Sequence, residues 1–188
     1  MKKVRAKKHL GQHFLNDLSI AQRITESLVI PPTSVIEVGP GMGVLTQYLV
    51  ENRDINFKVV EIDSESIEYL YNNFPQLKDS IIEGDFLEMD FPKTFSDKIS
   101  IIGNFPYNIS SQIFFKVYDN RNQVEQVVGM VQREVGRRIA SGPGSKEYGI
   151  LSVLLQSFYD IEYLFTVDED VFTPPPKVKS AVIRLTRN

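Results

Sequence analysis

Four consecutive residues, Asn104-Phe105-Pro106-Tyr107, combine a hydrogen-bond acceptor, a stiff turn and an aromatic face just after a short apolar run. An amino group on an aromatic ring is a poor nucleophile because its lone pair is delocalised into the ring. Two acceptors directed at its N–H groups favour a pyramidal nitrogen, and the Asn104 side-chain oxygen and the Phe105 carbonyl could supply them. Pro106 stiffens the turn, and Tyr107 offers a face for stacking a base. The motif predicts a site that activates the amino group of a planar base such as adenine.

A second group of residues predicts a site for a nucleoside-containing cofactor. Glu37, Gly39 and Gly41 lie where a β-branched run gives way to a helical pattern. Glycine allows a tight turn and a close approach of the backbone to a ligand. Glu61 follows after about twenty residues, the spacing at which an acidic side chain can reach ribose hydroxyls. A dinucleotide fingerprint would need glycine where this chain has Val44, which weighs against NAD.

A third candidate group, Gly84-Asp85-Phe86, follows the third apolar run of the series. Asp85 could accept a hydrogen bond from the amino group of an adenine ring, and Phe86 could pack on the face of that ring. The alternative is a turn aspartate followed by a core phenylalanine. The position at a strand end favours the ligand contact, since ligands of open α/β sheets bind outside the carboxyl ends of strands.

The elements that must position these groups alternate between short apolar runs and amphipathic segments, which predicts a mostly parallel sheet with helices on both faces. Predicted strands cover residues 34–38, 57–62, 81–82, 99–102, 124–131, 161–167 and 180–185, and predicted helices cover 44–50, 64–73, 110–118 and 149–158. The last two strands have no full crossover helix between them, which indicates an antiparallel hairpin at one sheet edge. We expect one α/β domain over residues 1–188.

The composition and charge of the chain indicate which partners and which cellular compartment to expect. The net charge is −3, yet residues 1–8 carry five of the 21 Lys and Arg residues. A basic arm over residues 1–16 would suit phosphate contact, and the alternative is a solvated tail. The candidate RNA-binding residues are Lys2, Lys3, Arg5, Lys7 and Lys8. There is no cysteine and no apolar run near the roughly 20 residues that a membrane span needs. We expect a monomeric cytoplasmic protein that uses no metal and no membrane.

Residues 104–107 are similar to the [N/D/S]-P-P-[Y/F/W] signature of amino-methyltransferases, in the N-x-P-Y form of the ribosomal RNA adenine dimethyltransferases. Along nearly its whole length the chain resembles the small-subunit family of these enzymes, KsgA/RsmA. The resemblance is carried by residues 9–17 (HLGQHFLND), 39–41 (GPG), 103–110 (GNFPYNIS) and 172–178 (FTPPPKV). It implies a Rossmann-like class I methyltransferase fold with a seven-stranded sheet.

The resemblance also implies the reaction. Family enzymes use S-adenosylmethionine, with S-adenosylhomocysteine as product, to dimethylate the N6 amino groups of two adjacent adenosines near the 3′ end of small-subunit (16S) rRNA during ribosome biogenesis. The partner would be a pre-30S particle, and the target base must be unstacked to enter the site. The family's segment around residues 11–15 lies across the cofactor, which makes His13 and Leu15 candidate contacts.

The candidate site residues fall into two sets. The catalytic candidates are Asn104, Phe105, Pro106, Tyr107 and Phe172. Phe172 is included because an aromatic beside a stiff proline run could face Tyr107 across the mouth of the site, and the alternative is that its ring caps the core under the loop. Phe105 stands where Leu or Ile is commoner in the family, and its larger ring could narrow the target pocket. The cofactor-binding candidates are His13, Leu15, Glu37, Gly39, Gly41, Glu61, Ile62, Asp85, Phe86 and Asn104.

Three alternatives to this function stay open from the sequence. An Erm-type enzyme performs the same chemistry on large-subunit rRNA, although residues 39–41 and 172–178 favour the small-subunit family. A non-catalytic RNA-binding or assembly factor could use the same fold, although the intact residues 104–107 argue against loss of catalysis. A dehydrogenase is the most remote option. Family enzymes usually continue into a small helical C-terminal domain, so we expect a truncated form that contains the catalytic domain.

Overall fold

The computed structural model describes residues 3–188, whose strands form one large sheet and one two-stranded sheet. The strands are β1 (Phe14–Leu15), β2 (Ser34–Val38), β3 (Asn56–Glu61), β4 (Ile81–Glu83), β5 (Ile99–Asn104), β6 (Val124–Gln132), β7 (Tyr159–Val167), β8 (Phe172–Thr173) and β9 (Ser180–Arg187). The large sheet has the order β4-β3-β2-β5-β6-β9-β7. Strand β9 is antiparallel to β6 and β7, and the other neighbours are parallel. The predicted seven-stranded sheet with an antiparallel edge hairpin is confirmed.

Helices cover both faces of the large sheet. They are α1 (Leu18–Thr25), α2 (Thr46–Leu49), α3 (Ser64–Asn73), α4 (Phe91–Thr94), α5 (Ser110–Asp119), α6 (Arg133–Ala140) and α7 (Ile150–Gln156). The cap of α3 is Asp63, whose carboxylate accepts from the Ser66 amide at 3.3 Å. Sequence patterns did not predict α1 or α6, whose buried residues are few.

Two apolar cores lie on opposite faces of the sheet because alternate residues of a strand point to opposite sides. In β5, Ile99 and Ile101 join the core covered by α5, α6 and α7, whereas Ile102 joins the core covered by α1, α2 and α3. Strand β2 is buried along its whole length. Fully buried parallel strands of this kind form a rigid base for the loops that follow them.

The carboxyl ends of the parallel strands meet at one edge of the sheet. Glu61 ends β3, Asn104 ends β5 and Gln132 ends β6. The two-stranded sheet lies beside this edge. In it, β1 pairs antiparallel with β8, which brings Leu15 opposite Phe172. The N-terminal segment and the segment before the prolines are thereby held next to the strand ends.

Candidate active site

Asn104 ends the central strand β5, and its amide has a fixed orientation. The side-chain nitrogen Nδ2 donates to the carbonyl oxygen of His13 at 3.0 Å. The oxygen Oδ1 is then the acceptor that faces a ligand, and within residues 3–188 no side chain or backbone group donates to it. The residue that the sequence predicts as an acceptor is therefore oriented as one by a backbone contact.

The carbonyl of Phe105 is the second acceptor that the sequence predicts. In the described part of the chain it receives no hydrogen bond. The two carbonyls that follow are occupied, because Pro106 accepts from the Ile109 amide at 3.3 Å and Tyr107 accepts from the Ser110 hydroxyl at 3.2 Å. Asn104 and Phe105 thus carry adjacent free oxygens at the end of one strand.

The Phe105 ring lies in the core, away from the strand ends. It is 1% exposed and packs edge-on against Phe114, with ring centroids 5.7 Å apart. Gly129 on the neighbouring strand leaves room for it, since a Cβ there would come within 2.3 Å of the ring. The expectation that this ring could narrow the target pocket is wrong, and its packing instead anchors the turn that carries Asn104.

The glycine turn after β2 holds a buried carboxylate. Gly39 and Gly41 have φ angles of 65° and 57°, which favour glycine. The Gly41 amide donates to Oε1 of Glu61 at 2.9 Å, and the amides of Ile62 and Asp63 donate to Oε2 at 3.0 and 3.2 Å. A carboxylate has about four acceptor positions, so roughly one stays open. Contact of Glu61 with ribose hydroxyls stays a prediction, for which roughly one acceptor position of its carboxylate is open.

Glu37 lies behind the glycine turn and is 2% exposed. Burial raises its pKa to about 8, a hydrogen bond from the Thr46 hydroxyl at 2.6 Å opposes this, and the nearby Glu61 carboxylate adds to it. Glu37 is therefore predominantly protonated at neutral pH. It borders a small cavity together with Leu15 and Asn104, and direct contact of Glu37 or Leu15 with a cofactor stays a prediction.

The main cleft is the space between the N-terminal residues Leu10–Phe14 and the strand ends, and it is bordered by Gly39, Gly41, Glu61 and Asn104. Ile62 also borders it. Its volume is only about 50 Å³, whereas pockets for drug-sized ligands have roughly 300–1,000 Å³. The N-terminal segment therefore closes the cleft in this conformation.

A second cavity, the neighbouring groove, adjoins the main cleft and is wider, at about 590 Å³. Tyr107, Gln132, Lys177 and the prolines 174–176 border it. The Tyr107 hydroxyl is hydrogen-bonded to the Ser180 hydroxyl, which fixes the ring between the two cavities. One face of that ring lies near the His13 ring, with centroids 5.0 Å apart.

His13 connects three parts of the site. Its backbone carbonyl accepts from Asn104, and its ring nitrogen Nδ1 donates to the Pro174 carbonyl oxygen at 2.8 Å. His13 also borders both the main cleft and the neighbouring groove. The N-terminal segment, the acceptor pair and the proline segment are thus joined through one residue.

Phe172 does not face Tyr107 across the site, which corrects its assignment as a catalytic residue. It is 2% exposed and belongs to the core under α1, α2 and α3. Phe172 lies in the core because strand β8 pairs with β1, which places Phe172 opposite Leu15. The alternating direction of strand side chains buries both residues and leaves Thr173 exposed.

The Asp85–Phe86 pair is also corrected in part. The Phe86 ring is buried and packs against Phe91, with centroids 5.5 Å apart, so its faces belong to the core. Asp85 is half-buried and caps a short 3₁₀ turn by accepting from the Leu87 amide at 2.9 Å. A contact between Asp85 and an adenine amino group stays a prediction.

The basic arm is attached to the body of the protein. The Lys7 ammonium lies 3.0 Å from an Asp63 oxygen and 2.7 Å from a Glu65 oxygen, and Gln12 donates to the same Asp63 oxygen at 3.3 Å. Lys7 is therefore engaged with carboxylates, and its contact with RNA stays a prediction. Of the other predicted RNA contacts, Lys3, Arg5 and Lys8 are exposed, and Lys2 lies outside the described residues.

Several residues that shape the site were not predicted. Gln12 holds the arm, Thr46 donates to Glu37, and Ser180 positions Tyr107. The contacts of Gln12 and Ser180 join segments far apart in the sequence, and that of Thr46 spans the glycine turn. Gln12 lay within the stretch that resembles the family, and that stretch was the only signal for it.

Comparison with known proteins agrees with this geometry. Residues 3–188 match the family described as "Ribosomal RNA adenine dimethylase". The chain is 64% identical to "Ribosomal RNA small subunit methyltransferase A" of Cytophaga hutchinsonii, over all of this chain and 74% of that protein. A dimethyladenosine transferase structure from Plasmodium falciparum has 29% identity and a TM-score of 0.80, covering 94% of this chain and 64% of that one. The structure of the 23S rRNA methyltransferase ErmE has 28% identity and a TM-score of 0.78, covering 93% of this chain and 70% of that one.

The sheet order, the glycine turn and the acceptor pair at the end of β5 define a class I methyltransferase fold, as the sequence predicts. Within that class, the chain belongs to the ribosomal RNA adenine dimethylase family. The prediction of an rRNA adenine dimethyltransferase is confirmed, and high-identity relatives named for the small subunit favour that family over the Erm alternative.

Two further findings concern the described residues. Across residues 3–188 no cluster of three or more His, Cys, Asp or Glu side chains is arranged to hold a metal ion. No helix in the same range is both long enough and apolar enough to cross a membrane.

Proposed function

We propose that this protein dimethylates the N6 amino groups of two adjacent adenosines near the 3′ end of small-subunit rRNA, with S-adenosylmethionine as methyl donor. The observation that carries the proposal is the pair of free oxygens, Asn104 Oδ1 and the Phe105 carbonyl, at the end of the central strand. We further propose that the protein acts as a monomer in the cytoplasm and that its substrate is a pre-30S particle.

The groups around the main cleft suit a nucleoside-containing cofactor by their chemistry. The open acceptor position of Glu61 suits a ribose hydroxyl, and hydrogen bonds to charged groups contribute about 1.5–3 kcal/mol each. The glycine turn lets the backbone approach closely, and Ile62 offers an exposed apolar surface beside Glu61. When bound, S-adenosylmethionine supplies a methyl group on a positively charged sulfur. Its adenosyl part would be held by Glu61, Ile62 and the glycine turn.

The acceptor pair acts on the substrate amine. Hydrogen bonds from the two N–H groups of the amine to Asn104 Oδ1 and the Phe105 carbonyl would localise the nitrogen lone pair. Because Nδ2 is already bonded to His13, the amide pays no reorientation cost when the substrate arrives. The methylated amine is acidic enough to release its proton to nearby acceptors or water, so no strong general base is required.

The target base would enter from the neighbouring groove. Tyr107 borders both cavities and is fixed by Ser180, so an unstacked adenine could stack on its ring while the amine reaches the acceptor pair. Base–aromatic stacking contributes roughly 1–3 kcal/mol. In this proposal the base stacks on Tyr107 alone, since Phe172 is in the core.

Mass spectrometry of rRNA tests the proposal. Unmethylated 30S and 50S particles would each be incubated with the protein and S-adenosylmethionine, and the adenosines analysed after digestion. We expect two adjacent dimethyladenosines in the small-subunit RNA. Methylation of the large-subunit RNA would support the Erm-type alternative. Tight binding to the 30S particle without any methyl transfer would support a non-catalytic assembly factor.

A further inference from the structure

Helix α6 presents arginines on one face and packs tightly on the other. Val135, Gly136 and Ile139 are buried, and a Cβ at Gly136 would come within 2.9 Å of Ala181, so the helix lies close against β9. This contact fixes the rotation of the helix. Arg137 and Arg138 are exposed, and Arg133 is half-buried at its beginning.

The arginine face begins at the groove that adjoins the acceptor pair. Gln132, the last residue of β6, borders the neighbouring groove together with Tyr107. Arg133 follows directly, and its amide donates to the Lys179 carbonyl at 2.9 Å, which ties the helix start to the segment after the prolines. With a rise of about 1.5 Å per residue, Arg137 and Arg138 lie within roughly 10 Å of Gln132 along the helix.

Several cations elsewhere in the described residues are paired with carboxylates. Lys7 is paired with Asp63 and Glu65, and Lys179 with Asp168 and Glu169. Over residues 3–188, no carboxylate pairs with Arg133, Arg137, Arg138 or the exposed Lys177 at the groove.

The spacing on α6 places like charges side by side. Arg133 and Arg137 are four residues apart on one face, and like charges at that spacing destabilise a helix. Glu134 is the single acidic residue of α6 and lies between them and Arg138. Arginines in the last turn of a helix also interact favourably with the helix dipole. That effect does not account for Arg133 in the first turn or for Lys177 across the groove.

We propose that Arg133, Arg137, Arg138 and Lys177 bind the phosphate backbone of the RNA strand whose target adenosine enters the neighbouring groove. This rests on the proposed function for the identity of the RNA. The guanidinium group suits phosphate because it donates two parallel hydrogen bonds. The main RNA contact of this domain then lies on α6 and the borders of the neighbouring groove, where the exposed Lys8 of the arm joins Lys177, with Lys3 and Arg5 in a lesser role.

The test measures the salt dependence of RNA binding. Fluorescence anisotropy with a labelled RNA hairpin that has two adjacent loop adenosines would give Kd over a range of KCl concentrations. The variant is Arg137→Gln/Arg138→Gln. The matched control, Arg53→Gln/Lys78→Gln, makes the same change in charge at two exposed residues that precede β3 and β4, at the opposite edge of the sheet. A third variant, Arg137→Lys/Arg138→Lys, keeps the charge.

We expect the slope of log affinity against log salt to become shallower by about 1.4 in the Gln variant, since each single-stranded phosphate contact contributes about 0.7. The control and the Lys variant should keep most of the original slope. An unchanged slope in the Gln variant, an equal change in the control, or a loss in the Lys variant accompanied by a lower Tm would each overturn the proposal.

The same proteins separate this inference from the proposed function. If the unmodified protein methylates small-subunit rRNA while the Gln variant keeps its salt slope, the α6 interface is wrong and the proposed function stands. If RNA binding depends on α6 but no methyl group is transferred, the α6 interface stands and the proposed function is wrong.

Discussion

The main cleft and the neighbouring groove share His13 and Tyr107 but are built from different kinds of group. The main cleft is narrow and is formed by backbone amides, glycines and the buried Glu61. The neighbouring groove is more than ten times larger and is bordered by prolines, by the rings of His13 and Tyr107, and by the exposed Lys8 and Lys177. In the proposed function, the main cleft receives the cofactor and the neighbouring groove receives the RNA.

The difference shows how rigidity is distributed over the site. On the cleft side, hydrogen bonds within the fold set the position of each polar group before a ligand arrives. On the groove side, the proposed RNA contacts are exposed cations that can adapt to a flexible backbone, and the proposed base contact is the Tyr107 ring fixed by Ser180.

The largest effect is expected from Phe172→Ala, which removes a core ring beneath the segment that leads to the prolines. Since Phe172 is 2% exposed, we expect a loss of about 3–5 kcal/mol in the free energy of unfolding. Urea denaturation measures it, with Thr173→Ala as the exposed neighbouring control. A loss below about 1 kcal/mol, together with impaired methylation, would mean that the Phe172 ring contacts the substrate.

The second effect concerns the buried Glu37. Its pKa is raised from 4.5 in the reference state to about 8 in the fold. The native state then holds a proton that the unfolded chain releases above pH 4.5, so stability falls as pH rises between these values. The slope is at most about 1.4 kcal/mol per pH unit.

Glu37→Gln should remove this pH dependence. The stability of the variant relative to that of the unmodified protein should therefore increase as pH rises from 5 to 8.5. Thermal unfolding at several pH values measures the difference, and Glu68→Gln on the exposed face of α3 is the matched control. If the Gln variant shows no growing advantage, Glu37 is ionised in the fold and a direct role in holding a cationic group becomes the better explanation.

The third effect tests the cleft side. Glu61→Ala removes the carboxylate that offers one acceptor to a ribose hydroxyl, and we expect S-adenosylmethionine to bind at least tenfold more weakly, as for a loss of about 1.5–3 kcal/mol. Isothermal calorimetry gives the affinity and a melting curve reports the integrity of the glycine turn. Unchanged affinity in a folded variant would refute the assignment of Glu61.

The smallest effect is expected at the arm that closes the main cleft. Lys7→Ala breaks the contacts with Asp63 and Glu65, whose worth as partly exposed pairs is about 0.2–1 kcal/mol. We expect entry and release of a fluorescent S-adenosylmethionine analogue to become up to about fivefold faster, with a smaller change in Kd. Stopped-flow measurements with Lys78→Ala as control would decide, and unaltered rates would mean that the arm does not limit access.

The large sheet was predictable because its strands are β-branched runs with long buried stretches. The acceptor pair and the glycine turn followed from local residue order, since each lies on consecutive residues after a strand. The two-stranded sheet was not predictable, because it depends on pairing Leu15 with Phe172 across most of the chain. That single pairing reversed the assignment of Phe172.

The role of charge was the least predictable feature. A run of cations at the N-terminus looks the same in sequence whether it is free or paired, and the partners of Lys7 are more than fifty residues away. Helix α6 was missed because its apolar positions are too few to stand out, although they suffice to pack against β9. Which cations are free depends on tertiary contacts.

The central claim is that Asn104 Oδ1 and the Phe105 carbonyl activate an adenine amino group. Single-turnover methylation of 30S particles by Asn104→Ala tests it most directly, with S-adenosylmethionine affinity measured in parallel. We predict a loss of about 10²-fold or more in the rate of methyl transfer, with cofactor affinity within a few-fold, as for removal of one preorganised contact to the reacting group. An unchanged transfer rate in a folded Asn104→Ala protein would contradict the account.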